Sequence, residues 1–286
     1  MSSVDERDTM DDEPIGSHDA PRAESSEPRL PAPQSPRPVF LPLLALLILT
    51  LVTQLASLPY IIGRAEQMPG AAERSFLVMA IVTVVVVSLL TIPLAGLGLW
   101  LGGRVGLGAP LLTDLIKRRP GAGERLRRDA MLAVPLGLGV GVIVALIRML
   151  ILPYLPPALA ELVHPGALAG LGAAAGAGVA EETWLRLGVM TILAWGGARL
   201  LGDSEIRPMV AWPANVLAAL AFGVIHLPQL AQFGTATPTA IAGTLLGNGI
   251  VGVFCGWLYW RRSLVAAILA HFAVDLILHV LPATWS

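Results

Sequence analysis

Charge is scarce in this sequence. Asp, Glu, Lys and Arg together make up 14% of its 286 residues, against about 25% in an ordinary soluble domain. That deficit excludes a water-facing surface wrapped around a single core. Cysteine is nearly absent too. Cys255 stands alone in an apolar stretch, so no internal disulfide can form, and it reads as a small buried apolar residue. Several catalytic signatures are missing as well. There is no His-Glu-x-x-His pair for a compact zinc site and no Gly-x-Ser-Gly nucleophile motif. Only Asp275 among the aspartates lies inside an apolar stretch, which rules out an intramembrane aspartyl dyad. No clear similarity links the two halves, whereas transporters usually carry internal repeats.

The charges that exist are segregated. Residues 1–37 hold nine acidic residues and four arginines among many Pro and Ser. Such a stretch cannot bury enough apolar surface to offset its ordering entropy, so it reads as a disordered acidic tail. Its acidic start and lack of an apolar h-region argue against a signal peptide. Beyond it come seven apolar segments, 39–62, 76–102, 130–152, 166–199, 209–227, 239–260 and 263–281. Each is long enough to cross a hydrocarbon layer of roughly 30 Å. Helix is the structure expected for all of them, because backbone amides in lipid must be satisfied within the segment. The expected fold is therefore an all-α polytopic transmembrane bundle. It has seven spans, or eight if the charged fourth segment is two half-helices or if a short span lies within 105–116 or 154–163.

Arginine placement orients the bundle. With the tail inside and the spans alternating, fifteen of the nineteen Lys and Arg residues fall on one side. Only Arg64 and Arg74 fall on the other, while Arg148 and Arg186 lie within spans. This asymmetry follows the positive-inside rule and makes the N-terminus cytoplasmic, in a plasma membrane of bacterial type. The organisation expected is a tail (1–37), a transmembrane pair with a basic cytoplasmic loop (38–129) and a core (130–286). Gly243 with Gly247, Gly252 with Gly256, and the run 170–178 present small faces at helical spacing, as close helix packing in lipid requires. The 170–178 run also makes room beside the charges that follow it.

Ionisable groups within spans are costly and persist mainly where they have a task. Here they are Arg148, Glu181, Glu182, Arg186, His226, His271, Asp275 and His279. Glu182 and Arg186 are four apart with the acid first, the favourable order for a helical ion pair. Glu181 is turned roughly 100° away and must find another partner. His271 and Asp275 share a face four residues apart, and His226 closes the fifth segment. One free carboxylate and two histidines, from three helices, are expected to converge. A carboxylate and imidazoles in a dry site can activate water as general bases, and a second His with a polar neighbour can supply oxyanion donors. That implies amide hydrolysis in or near the membrane. Glu181, His226 and His271 also have the ligand types for zinc. His279, near a helix end, reads as interfacial. Arg148 reads as snorkelling to the interface, with gripping a substrate carboxylate as its sharper role. Trp184 and Phe222 read as packing residues.

Three motifs tie these residues to a known family. Glu181-Glu182-Thr-Trp-Leu-Arg186 reads as EExxxR, Phe222-Gly-Val-Ile-His226 as FxxxH, and His271-Phe-Ala-Val-Asp275 as Hxxx(N/D). In this order and on separate spans, they resemble the signature of the CAAX protease and bacteriocin-processing (CPBP, Abi) family, which includes type II CAAX prenyl endopeptidases. The resemblance covers about 165–280. It implies an intramembrane endopeptidase in which Glu181 and His226 activate the attacking water. It also implies that His271 and Asp275 position the substrate or stabilise the oxyanion, with Glu182 and Arg186 in support. The family is often classed as metalloproteases, and a metal-free glutamate mechanism is argued for it as well. Prenyl endopeptidases usually have Asn where Asp275 stands. They also open toward the cytoplasm, whereas the seven-span count puts His226 toward the other side. Expected partners are membrane lipid and a membrane-associated protein or peptide substrate, with no nucleic acid. A non-catalytic scaffold or immunity-type protein of the same fold, and a proton-coupled transporter, are the alternatives.

Overall fold

A computed structural model describes residues 39–67, 75–161, 163–203, 205–232 and 235–284. The acidic tail lies outside the described residues. Every regular element among them is helical: α1 (Phe40–Ala56), α2 (Leu58–Ala65), α3 (Phe76–Gly102), α4 (Pro110–Ile116), α5 (Ala122–Ile151), α6 (Pro157–Ala160), α7 (Ala167–Glu181), α8 (Thr191–Leu200), α9 (Pro208–Ile225), α10 (Leu227–Gln232), α11 (Pro238–Arg261) and α12 (Leu264–Asp275). Two π-helical stretches, Glu182–Met190 and Leu276–Val280, continue α7 and α12. Starts are marked by proline at the first turns of α4, α9 and α11, where its missing N–H would be unpaired anyway. The hydroxyls of Thr237 and Ser263 cap α11 and α12 by accepting from Ala240 N and Ala266 N.

The span count differs from the expected seven or eight. Five helical runs are long and apolar enough to cross a membrane: Phe76–Gly102, Ala122–Tyr154, Pro208–Ala231, Pro238–Arg261 and Leu264–Thr284. A sixth arises if α1 and α2, bent by 41°, form one span. The expected fourth segment is a continuous helical run from 167 to 200. It is not among the five, and Glu181, Glu182 and Arg186 lie within it. Among the described residues, the regions 105–116 and 154–163 hold the seven-residue α4 and four-residue α6, each too short to cross a membrane. The basic loop is also shorter than expected. Its last residues, Glu124 to Asp129, are the first turns of α5, where Glu124 bonds Arg127 and Arg128 at 3.1 and 3.2 Å. The exposed faces of these runs are apolar, as on α3 with Leu77, Ile81, Val85 and Leu89. The chain has the helices of an integral membrane protein.

Close packing sets the bundle. α12 lies against α5, α7 and α11; α9 pairs with α11; and α1 rests on α3 and α7. The small-residue run of α7 divides by face. Gly170 and Gly172 press against the backbone carbonyls of His279 and Ala56, while Ala173 and Ala177 line a cavity. On α11, Gly256 leaves room for Asn215 of α9, whose carbonyl oxygen a Cβ would overlap. Asn215 is fully buried and donates to Val253 O at 3.0 Å. The sole cysteine, Cys255, is buried in this core, as expected.

Gly256→Leu is expected to lower stability in detergent by about 1–3 kcal/mol, the usual cost of overpacking. Gly196→Ala, which meets nothing within 4 Å, should leave the melting temperature unchanged or raise it. Thermal denaturation of the two variants compares them directly.

Candidate active site

Three helical runs deliver the site. Glu181 ends α7, and Glu182 and Arg186 follow on its π-helical continuation. His226 caps the C-terminus of α9, and α12 carries His271 and Asp275. Both π stretches begin at or beside a site carboxylate, Glu182 in one case and Asp275 in the other. A π turn carries an extra residue and re-aims the side chains around it, which is why such turns recur at functional sites.

The expected convergence is present. Glu181 Oε1 lies 3.7 Å from His226 Nε2, and Glu181 Oε2 lies 3.6 Å from His271 Nε2. These distances are too long for hydrogen bonds, and they suit groups that share a third atom set to one side. Each imidazole is oriented from behind. His226 Nδ1 donates to the Phe222 carbonyl at 2.8 Å, and His271 Nδ1 donates to Glu182 Oε1 at 2.8 Å. A carbonyl or carboxylate can only accept, so both protons sit on Nδ1 and both Nε2 atoms face Glu181. Asp275 Oδ2 stands 3.7 Å from His271 Nε2. Phe222, almost fully buried, stands edge-on to both imidazoles, with centroids 4.9 Å from His226 and 5.6 Å from His271. It is a packing residue, as expected, and it fixes both ring planes.

Glu182 and Arg186 form the expected i,i+4 pair, Nε to Oε2 at 3.2 Å, with both side chains fully buried. The approach is too oblique for a hydrogen bond, so charge holds it. The Arg186 guanidinium also stands 5.1 Å from the Phe222 ring centroid. Glu182 thus has two jobs, neutralising Arg186 with one oxygen and orienting His271 with the other. Its spacing from Arg186 showed only the first.

The sequence placed His279 at the interface; the fold turns it inward. Its Nε2 is 3.8 Å from Asp275 Oδ1, and its Nδ1 is 3.0 Å from the Tyr60 hydroxyl. The four-residue step from Asp275 to His279 already signalled a shared face. Tyr60, from α2, carried no motif to announce it. Tyr60, Glu181, His226, His271, Asp275 and His279 line a cavity of about 550 Å³ whose walls come from α1, α2, α5, α7, α9, α11 and α12. It sits at the bundle end where α2, α5 and α9 finish and α7 and α11 begin. Arg148 lines it as well.

Glu181, His226 and His271 have the ligand types for zinc, and Glu181 approaches the two histidines through different oxygens. A second group, Glu182, Cys255 and His271, brings one ligand atom each within 4.8 Å of the others. There the His271 Nδ1 to Glu182 contact of 2.8 Å is already a hydrogen bond, and an ion would have to break it.

Residues 163–277 match the family model described as type II CAAX prenyl endopeptidase Rce1-like. No curated protein and no solved structure matches the chain. The matched stretch contains Glu181, Glu182, Arg186, His226, His271 and Asp275, and it stops short of His279. Over residues 163–277, the chain is similar to the Rce1-like type II CAAX prenyl endopeptidases.

Proposed function

We propose that this protein is an intramembrane endopeptidase that cleaves a peptide bond of a membrane-associated substrate with water activated by Glu181 and His226. The observation that carries this reading is one carboxylate, Glu181, facing the Nε2 atoms of two histidines at 3.6–3.7 Å inside a cavity. A water seated between Glu181 and His226 gives its proton to the Glu181 carboxylate as its oxygen bonds to the scissile carbonyl carbon. His226 Nε2 accepts the water's other hydrogen and aims its lone pair. The oxyanion that forms meets His271, which in its doubly protonated form, held by Glu182 on Nδ1, presents Nε2–H. Asp275 steadies that ring. The C–N bond then breaks, and the proton passes from Glu181 to the leaving amine. Were zinc bound by Glu181, His226 and His271, it would supply a Lewis acid for the water and the carbonyl oxygen.

The working organisation is a core of 130–286 behind a transmembrane pair (38–129) and an acidic tail (1–37). The Lys and Arg distribution supports a cytoplasmic N-terminus in a plasma membrane of bacterial type. The cavity end of the bundle then faces the non-cytoplasmic side, and the substrate is met there.

Glu181→Gln should cut hydrolysis of a membrane peptide by at least about 10²-fold, as loss of a general base does, with the melting temperature held. Arg186→Met should instead destabilise the fold by about 3–5 kcal/mol, because it leaves Glu182 buried and uncompensated. Cleavage in detergent, with and without a chelator, beside thermal denaturation separates the two effects. Full activity in both Glu181→Gln and His226→Ala would remove the mechanism, and it would favour a scaffold of the same fold.

Orientation is checked by single cysteines introduced at Gln229 and Lys117, both exposed, in a Cys255→Ala background. A membrane-impermeant maleimide should label the first on intact cells and the second only after permeabilisation. The reverse pattern would invert the topology.

A further inference from the structure

The cavity has a second polar end, away from Glu181. Arg64 of α2 and Arg148 in the last turn of α5 both line it. Neither takes part in an ion pair among the described residues, where the site carboxylates Glu181, Glu182 and Asp275 are engaged with His226, His271, His279 and Arg186. Arg64 has a buried Nη1 with no hydrogen-bond partner. A buried donor left unpaired is costly, the more so on a charged group, and an arriving ligand relieves that cost. His164, in the loop before α7, senses both cations. Burial first, and then the charges of Arg148 and Arg64, push its imidazole below its usual range.

Position links this end to the chemistry. Tyr60 bonds His279 at 3.0 Å, and His279 reaches Asp275 at 3.8 Å. Arg64 lies one turn beyond Tyr60, a rise of about 6 Å along the helix, which two extended peptide residues cover at about 3.3–3.6 Å each. Two guanidinium groups lining one cavity, neither in an ion pair among the described residues, suit a planar carboxylate that accepts paired N–H bonds. Both arginines lie outside the matched residues 163–277, so this end of the cavity is built by elements that precede the family domain.

We propose that Arg64 and Arg148 form a subsite for a carboxylate of the peptide substrate, a few residues from the bond that is cut. This rests on the endopeptidase reading for its use, and its binding can be measured without cleavage. The probe is N-acetyl-trileucine as free acid and as amide, titrated into the full-length Glu181→Gln protein in detergent and into the same protein carrying Arg64→Gln or Arg148→Gln. The acid should bind at least about tenfold tighter than the amide, as a hydrogen bond to a charged group gives. Either arginine substitution should erase that preference, and Arg64→Lys should keep part of it. An acetyl-Leu-Glu-Leu-amide arm separates a side-chain carboxylate from a chain terminus, and preference for either supports the subsite. Equal binding of acids and amides, or a preference that survives the Arg64→Gln/Arg148→Gln double substitution, overturns it. So does Arg64-dependent stabilisation by phosphatidylglycerol nanodiscs over phosphatidylcholine ones with no effect of the peptide acid, which would mark a lipid headgroup site. Selective acid binding by a wild-type protein that cleaves no peptide would uphold the subsite and remove the protease reading.

Discussion

A charge held inside an apolar helix bundle has to find its compensation there, because neither water nor lipid supplies it. Arg186 is the deepest case, with a fully buried side chain, and Glu182 answers it at 3.2 Å. Much of the site follows from that pairing. With Oε2 committed to Arg186, Glu182 turns Oε1 to His271 Nδ1, and this places His271 Nε2 toward Glu181 and Asp275. Glu181, one residue earlier, is left facing the cavity. Adjacent carboxylates on one helix thus take different roles through environment alone, one neutralised and orienting, the other facing two imidazoles.

Packing of small residues makes the convergence possible. α7 approaches α1 and α12 through Gly172 and Gly170, and α9 approaches α11 where Gly256 receives Asn215. These contacts set how near the carboxylate helix comes to the two histidine helices. The first helices join the same construction. Gln54 of α1 donates to Gly176 O at 3.0 Å, Trp184 donates to Thr91 of α3 at 2.9 Å, and Tyr60 of α2 reaches His279. The matched stretch 163–277 therefore works inside a wall that earlier residues complete.

Much of this was legible in the sequence, and the limits of that reading have physical causes. Spacing alone put Glu182 with Arg186 and His271 with Asp275 on shared faces, because an α-helix repeats every 3.6 residues. Three charged motifs inside apolar runs marked where helices had to meet. The second role of Glu182 stayed hidden because it depends on contact with a distant helix, and so did the inward turn of His279 toward Tyr60, 219 residues away. The π stretches leave no periodic trace that a hydropathy pattern shows. Hydropathy also gave more spans than the five or six that qualify by length and composition. It treated every long apolar stretch alike, whereas the run holding Glu181, Glu182 and Arg186 is not one of the five that qualify by length and composition. Helix α5 begins at Ala122, ahead of the apolar segment from 130, because charged residues paired at helical spacing, Glu124 with Arg127 and Arg128, continue a helix as readily as they end one.

The account stands on Glu181 sharing one reacting atom with His226 and His271. A side-chain-resolved map of the full-length protein in lipid nanodiscs measures this directly. The account predicts the Glu181 carboxylate within about 4 Å of both Nε2 atoms, the ion-pair range, with a resolved water or ion touching all three groups. A map in which Glu181 turns away from either histidine, with that histidine packed against lipid-facing side chains instead, would contradict it.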